Sequence, residues 1–205
     1  MDDEFVRLAH GNGGRFMREL IADIFETNFR NPELDVSADA ARLDGDLGGA
    51  YMAADGFTVQ PLEFPGGDIG SLAVNGPVND LAVAGAVPRY LTFSAIIEEG
   101  LEIAQLRRIA RSAGMAARSS DVRIVAGDTK VVPRGHGGGL YVTTTGVGHG
   151  VFRTPPVLSS IRAGDAVVAS GTLGDHGAAV MLAREAFGLE GQLASDCASV
   201  LALTR

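Results

Sequence analysis

The strongest constraint on the fold is a change of period between residues 90 and 119. From Tyr90 to Ile97 the apolar residues Leu91, Phe93, Ala95 and Ile97 alternate, which is the two-residue period of a half-buried strand. From Glu102 to Ser119 the apolar stripe Ile103, Leu106, Ala110, Ala113 and Ala117 follows helical spacing. A strand feeding directly into an amphipathic helix needs a sheet on which that helix can lie. The flanking stretches repeat the theme. Tyr51–Ala54 reads as a strand, Ile69–Ala86 as a helix, Val122–Ala126 as a strand, and Leu140–Val147 as a strand whose threonines suit a half-exposed sheet. The order strand, helix, strand, helix, strand, strand predicts an α+β fold, a mixed sheet with helices on one face.

Upstream, Phe16, Met17, Leu20, Ile21, Ile24 and Phe25 predict a helix from Gly14 to about Asn31, closed by Asn31–Pro32. Residues 33–49 read as an acidic loop, and Phe57–Leu62 as a second extended piece. Pro77 predicts a kink, or a helix start near Gly76, because proline lacks the amide donor and crowds the preceding turn. Thr154–Pro155–Pro156 reads as a stiff linker. It divides an N-terminal unit, 1–153, from 158–205, where a strand at Ile161–Ser170 and a helix at Asp175–Gly188 are expected. The latter stretch holds too few elements to close its own core and reads as the beginning of an incomplete second domain.

Composition narrows the function. The chain has 205 residues and a formal charge of −8, so nucleic acid is not an expected partner: phosphate neutralisation needs clustered basic residues in excess. No apolar run reaches membrane-spanning length and no leader is evident, so a cytoplasmic protein with no membrane partner is expected. One cysteine, Cys197, gives no internal disulfide framework, and reads as a small buried residue in a helical setting. All 17 basic residues except Lys130 are arginine. Lysine is a compact point charge where arginine is a planar fork, so its placement in Gly127–Asp128–Thr129–Lys130 draws notice.

Four groups of residues carry candidate chemistry. His10, Gly11, Gly13 and Gly14 open the first helix, where glycines and a helix N-terminus suit an anion; on composition alone a flexible capped tail is the better reading. Asp68, in the turn Pro65–Gly66–Gly67–Asp68, reads at least as well as a helix N-cap as a ligand. Asp55, Asp80 and Asp128 each sit at or near element ends and are candidates for Mg²⁺, which takes few carboxylates and completes its shell with water and phosphate. Asp80 is the most informative, since its neighbours Val78, Leu81 and Val83 make an unpartnered carboxylate costly. Asp128, Thr129 and Lys130 combine a carboxylate, a hydroxyl and the lone lysine, groups that a nucleotide phosphate can bridge. Of the histidines, His136 and His149 read as surface residues; His10 and His176, in glycine-rich settings, are less readily set aside.

Taken in order, LAHGNGG (8–14), QPLEFPGGDIG (60–70), NGPVNDLAVAGAVPRYL (75–91), EEGL (98–101), VAGDTKVV (125–132) and SGTLGDHGAAVML (170–182) resemble the hydrogenase maturation factor HypE family. That family sits in the ATP-binding superfamily of aminoimidazole ribonucleotide synthetase, selenophosphate synthetase and thiamine-monophosphate kinase. The resemblance implies an N-terminal ATP-binding domain that dimerises through its sheet, with ATP and Mg²⁺ as cofactors. It implies ATP-driven dehydration of a carbamoylated C-terminal cysteine to a thiocyanate, supplying cyanide ligands for [NiFe]-hydrogenase. The partners it implies are a second copy and the maturation proteins HypF, HypC and HypD. Carried across, Asp55, Asp80 and Asp128 match the acidic metal–nucleotide positions, with Asp80, Asp128 and Lys130 in catalytic roles. Lys130 and Thr129 lie in the GDTK segment, His10, Gly11, Gly13 and Gly14 in the N-terminal loop, and Asn79 beside Asp80.

Three departures accompany the match. Ala54 and Gly56 flank Asp55 where hydroxyl residues are usual, Pro77 stands where threonine is common, and the sequence ends at Arg205 with no terminal cysteine. The resemblance therefore leads us to expect a partial form of the enzyme. The competing expectation is a catalytically incompetent dimerisation or interaction module.

Overall fold

The computed structural model describes residues 5–43, 47–151, 160–184 and 193–204. Its centre is a mixed seven-stranded sheet. Strand β1 (Ala41–Leu43) pairs antiparallel with β2 (Ala50–Phe57), and β2 pairs with β9 (Leu140–Gly150). On its other edge β9 pairs with both β5 (Ala86–Thr92) and β6 (Ser94–Glu98). These continue in parallel into β7 (Arg123–Ala126) and β8 (Thr129–Val132) respectively. A small hairpin, β3 (Glu63–Phe64) with β4 (Gly67–Asp68), stands apart.

Helices α3 (Ile69–Val83) and α4 (Ile103–Ser119) cover one face of the sheet and pack on each other. Alternation sets the face. In β9 the inward residues are Leu140, Val142, Thr144 and Gly146, all buried, while Thr143 points to solvent. Ile69, Ala73, Ile109, Leu140 and Val142 form one part of the core; Val74, Val78, Leu91 and Ala113 form the next. Burying a side chain of this size removes it from water at about 1.5–3 kcal/mol each. Asp68 caps α3: its carboxylate accepts from Ser71 N–H at 2.9 Å, and Ser71 Oγ accepts from Asp68 N–H at 3.0 Å.

The stretch predicted as one strand, Tyr90–Ile97, is two. The chain breaks at Phe93, whose N–H donates to Ala126 O. The break lets β5 follow β7 while β6 follows β8. Gly127 makes this crossing possible, because a Cβ there would fall 2.1 Å from Phe93 O. Strands β1 and β8 were not predicted; both are three or four residues long, too short to show a period. β2 runs on to Phe57, whereas the rest of the predicted extended piece 57–62 is irregular.

Helix α3 runs through Pro77 as one element, so it does not start near Gly76. Proline at 77 removes the amide that would serve Ala73 O, one turn earlier. The hydroxyl of Thr144, buried on β9, donates to that same carbonyl at 2.9 Å. The sheet thus supplies the donor the helix lacks.

The N-terminal helix forms as a run of α1 (Arg15–Leu20), a π-helical turn (Ile21–Glu26) and α2 (Thr27–Phe29). In the C-terminal part, α5 (Asp175–Arg184) matches the predicted helix as far as Arg184; residues 185–188 lie outside the described residues, as does the linker Thr154–Pro156. The strand expected at Ile161–Ser170 does not form. Val167 and Val168 are 98% and 87% exposed, and a strand without a partner leaves its backbone groups and apolar side chains unrewarded. Cys197 is not helical but lies in an irregular segment running over α3. Among the described residues no helix is long and apolar enough to cross a membrane.

Candidate functional site

The inward positions of β2 read Tyr51, Ala53, Asp55, Phe57, so Asp55 occupies a place where the pattern calls for an apolar side chain. It faces α3. The helix presents Gly76 there, and a Cβ at Gly76 would come within 2.7 Å of both Asp55 Oδ2 and the Phe57 ring. One turn on, Asp80 meets Asp55 in hydrogen-bond contact. Burial raises the pKa of both carboxyls. For Asp80 the negative charges of Asp55 and then Asp39 add to burial, pushing it up to about 7. Two half-buried carboxyls in contact share a proton or need a cation between them. Asp39 was not singled out from the sequence, where it is one more acid in an acidic loop; only its position beside Asp80 marks it.

Asp128 and Lys130 stand elsewhere. Lys130 Nζ lies 2.7 Å from Asp128 Oδ2 and 3.0 Å from Oδ1, with both side chains about two-thirds exposed. The lysine, first, and the Thr129 N–H that donates to Asp128 Oδ1 hold this carboxyl below its ordinary range. Register fixes the separation. Asp55 pairs with Thr144, the neighbouring Thr143 with Ser94, and the neighbouring Ala95 with Thr129. That is three strand spacings, roughly 14 Å. Lys130 aligns with Ile96, and Ile96 with Tyr141, on the sheet face away from the helices. Within one chain Asp55, Asp80 and Asp128 therefore do not come together. Asp55 and Asp80 meet under α3; Asp128 and Lys130 form a second, outward pair. Among the described residues no group of three or more His, Cys, Asp or Glu could hold a metal ion.

Asn79, beside Asp80, holds the C-terminal segment. Its amide nitrogen donates to Ala198 O at 3.0 Å, and its amide oxygen accepts from Val200 N–H at 2.9 Å. One turn earlier the buried Asn75 turns its amide toward Cys197 Sγ at 3.8 Å. The segment 193–201 thus docks on α3 by two asparagines. The glycine turn before α3 completes the seat: Ser195 N–H donates to Pro65 O, and a Cβ on Gly66 would strike the Ser195 backbone at 2.6 Å. Burial raises the Cys197 thiol pKa. His176 packs edge-on against Phe64 and lies 3.0 Å from Ser195 Oγ, in the same junction.

The N-terminal loop holds itself together. His10 is buried; its Nδ1 accepts from Arg7 N–H at 2.9 Å, and its ring meets Phe16 edge-on. Gly13 adopts φ +75°, and Gly14 N–H donates to Asn12 Oδ1. Gly11 has open space around it. These interactions run within residues 7–16.

Comparison with known proteins agrees with this architecture. Residues 37–149 match the family model AIR synthase related protein, N-terminal domain. The carbamoyl dehydratase HypE of Bradyrhizobium diazoefficiens is 49% identical over 195 residues, which is 95% of this chain and 56% of that protein. A crystal structure of a HypE–HypF complex superposes with a TM-score of 0.84 at 43% identity, covering 90% of this chain and 60% of the other. HypE in complex with ATP gives a TM-score of 0.74 at 44% identity, over 98% and 59%. The chain spans a little over half the length of these relatives. With over half of its residues inside the family model, and a mixed sheet and α3–α4 layer shared with HypE crystal structures, the chain belongs to the AIR synthase related family, and its similarity within that family runs to HypE.

Proposed function

We propose that this chain is the nucleotide-binding and dimerising part of a carbamoyl dehydratase that uses ATP to turn a carbamoylated C-terminal cysteine into a thiocyanate for [NiFe]-hydrogenase maturation. The observation that carries the reading is the contact between Asp55 and Asp80, two carboxylates at inward positions of a HypE-like sheet and helix. A fold that keeps two acids against each other under a helix gains little unless a cation joins them.

The donor types fit Mg²⁺, which takes few carboxylates and completes its shell with water and phosphate oxygens: Asp55 and Asp80 are in contact, and Gly76 lets the helix backbone pack closely against Asp55. Asp55 and Asp80 would hold the ion, and bound Mg²⁺ would neutralise charge on the nucleotide phosphates. Asp128 joins them only from a second copy. Thr129, whose N–H donates to Asp128 Oδ1, is level with the core-packed Ala95 and so lies on the helix side of the sheet, opposite Lys130; its hydroxyl is the candidate phosphate contact there. Lys130 supplies a mobile positive charge, released from Asp128, for the phosphoryl group moving to the amide oxygen. His10, Gly11, Gly13 and Gly14 are the candidate cover of the nucleotide, a role that requires the N-terminal segment to swing onto the sheet.

Support for a homodimer comes from the sheet face opposite the helices. Met52 and Ile96 there are 40% and 38% exposed, with Val147 and Tyr141 as their register partners. Pairing of two such faces would cover them and would bring Lys130 toward the second copy. HypF follows from the HypE–HypF complex; HypC, HypD and a cytoplasmic location follow from the family reading alone.

Calorimetric titration with Mg-ATP tests the proposal. The chain should bind, and Asp80→Asn should weaken binding by at least about tenfold. Equal affinity in both would remove the carboxylate assignment. The second reading, a non-catalytic dimerising module, rests on the separation of Asp128 and Lys130 from Asp55 and Asp80. It is favoured if no heat appears at millimolar nucleotide while the dimer persists.

A further inference from the structure

The solvent face of α4 carries Ala104, Arg107, Arg108, Arg111, Met115 and Arg118, a spacing of three and four that keeps them on one stripe. Arg108 is committed: its guanidinium grips Glu63 with two contacts of 2.8 Å. Arg107, Arg111 and Arg118 make no ion pair among the described residues, although the chain carries a formal charge of −8. Arg118 instead lies along its own helix, with Nη1 3.3 Å from where a Cβ on Gly114 would sit. In an acidic protein, three unpaired cations in line on one helix are a local inversion of the field.

Composition and position say more. Met115 is 50% exposed in the middle of the stripe, and Ala104 lies at its start. Arginine and exposed methionine are both enriched at interfaces, and no acidic residue interrupts the stripe to pair with the arginines, as would be usual on a solvated face. The stripe is on the side of the sheet away from the face proposed to pair two copies, so it stays accessible in such a dimer. It is also separate from segment 193–201, which docks on α3.

We infer that this face docks an acidic helical segment of another protein. Along α4, Arg107 and Arg111 are about 6 Å apart and Arg111 and Arg118 about 10.5 Å. A helix laid alongside with carboxylates at the same four- and seven-residue intervals would meet each guanidinium with a bidentate contact. An apolar side chain between them would cover Met115. A nucleic acid offers phosphates without that apolar element, and its long polyanionic rod meets the repulsion of the rest of the molecule.

The test is fluorescence anisotropy with a labelled alanine-based helical peptide. It carries glutamates at its first, fifth and twelfth positions and a leucine at its eighth. The control peptide has the same composition with its glutamates spread around the helix. At ~150 mM salt, where long-range attraction is screened, the in-register peptide should bind at least about fivefold more tightly than the control. Arg107→Glu with Arg111→Glu should weaken it by roughly tenfold or more, and replacement of all three arginines by lysine by about threefold. Circular dichroism should show each variant folded; if the double reversal is not, Arg111→Gln replaces it. Equal affinity for the two peptides, undiminished binding by the reversed variant, or tighter binding to a DNA duplex or to phosphatidylserine vesicles than to the peptide would each overturn the inference.

Discussion

Asp80 concentrates the residue-scale physics. Its folded pKa is raised to about 7, by burial first and then by Asp55 and Asp39. The native state therefore holds a proton between about pH 4 and 7 that the unfolded chain releases. The stability contributed by neutral Asp80 is complete below the unfolded pKa and is lost as pH rises through the folded one. In Mg²⁺-free buffer the melting temperature should fall between pH 5 and pH 8. Asp80→Asn should flatten that slope and stabilise the protein at pH 8 by on the order of 1 kcal/mol, a value reduced for partial solvent screening. An unchanged slope in the variant would assign the proton elsewhere. Gly76 is the matching position on the helix. Gly76→Ala would ordinarily favour a helix by about 1 kcal/mol. Here the added methyl meets Asp55 and the Phe57 ring, so we expect net destabilisation of about 1–3 kcal/mol, measurable by urea unfolding. A gain in stability would mean that β2 yields easily.

At the scale of elements, α3 depends on β9. Thr144→Val keeps shape but withdraws the donor from Ala73 O, leaving a buried carbonyl unserved beside Pro77. The expected cost is about 1–3 kcal/mol. Pro77→Ala restores an amide aimed at the same carbonyl, so the double variant should recover much of that loss. Additive effects in a double-mutant cycle would show that the two groups do not share the carbonyl. Part of the element pattern was legible from sequence: α4 carries the helical stripe read for it, and α3 and β9 form over most of Ile69–Ala86 and Leu140–Val147, although α3 ends at Val83 and Ala86 opens β5. The short strands β1 and β8, the break at Phe93 and the passage of α3 through Pro77 were not. Each depends on a partner strand or donor distant in sequence.

For the whole molecule, the sheet has one covered and one open face. Light scattering at micromolar concentration should give the mass of a dimer, and Ile96→Glu should give a monomer, because a charge placed centrally on a pairing face is desolvated without a partner. A dimer unaffected by Ile96→Glu would place the interface elsewhere. The C-terminal segment 193–204 belongs to the same scale. It is held to the sheet unit by Asn75, Asn79 and the Pro65–Gly66 turn, so the PGGDIG and NGPVND stretches serve as its seat as well as leading to Asp80.

Sequence alone determined the fold class, the helix carrying Asp80 and the family resemblance, because these rest on local patterns and ordered motifs; it left Asp68 open between cap and ligand, and the structure shows the cap. Tertiary structure decided which acids meet. Asp55 and Asp80 are 25 positions apart, yet β2 and α3 bring them into contact. Asp128, which looked equivalent in the sequence, is carried three strands away to pair with Lys130 on the other face. Register and sheet face are properties of paired strands, and no single segment encodes them by itself.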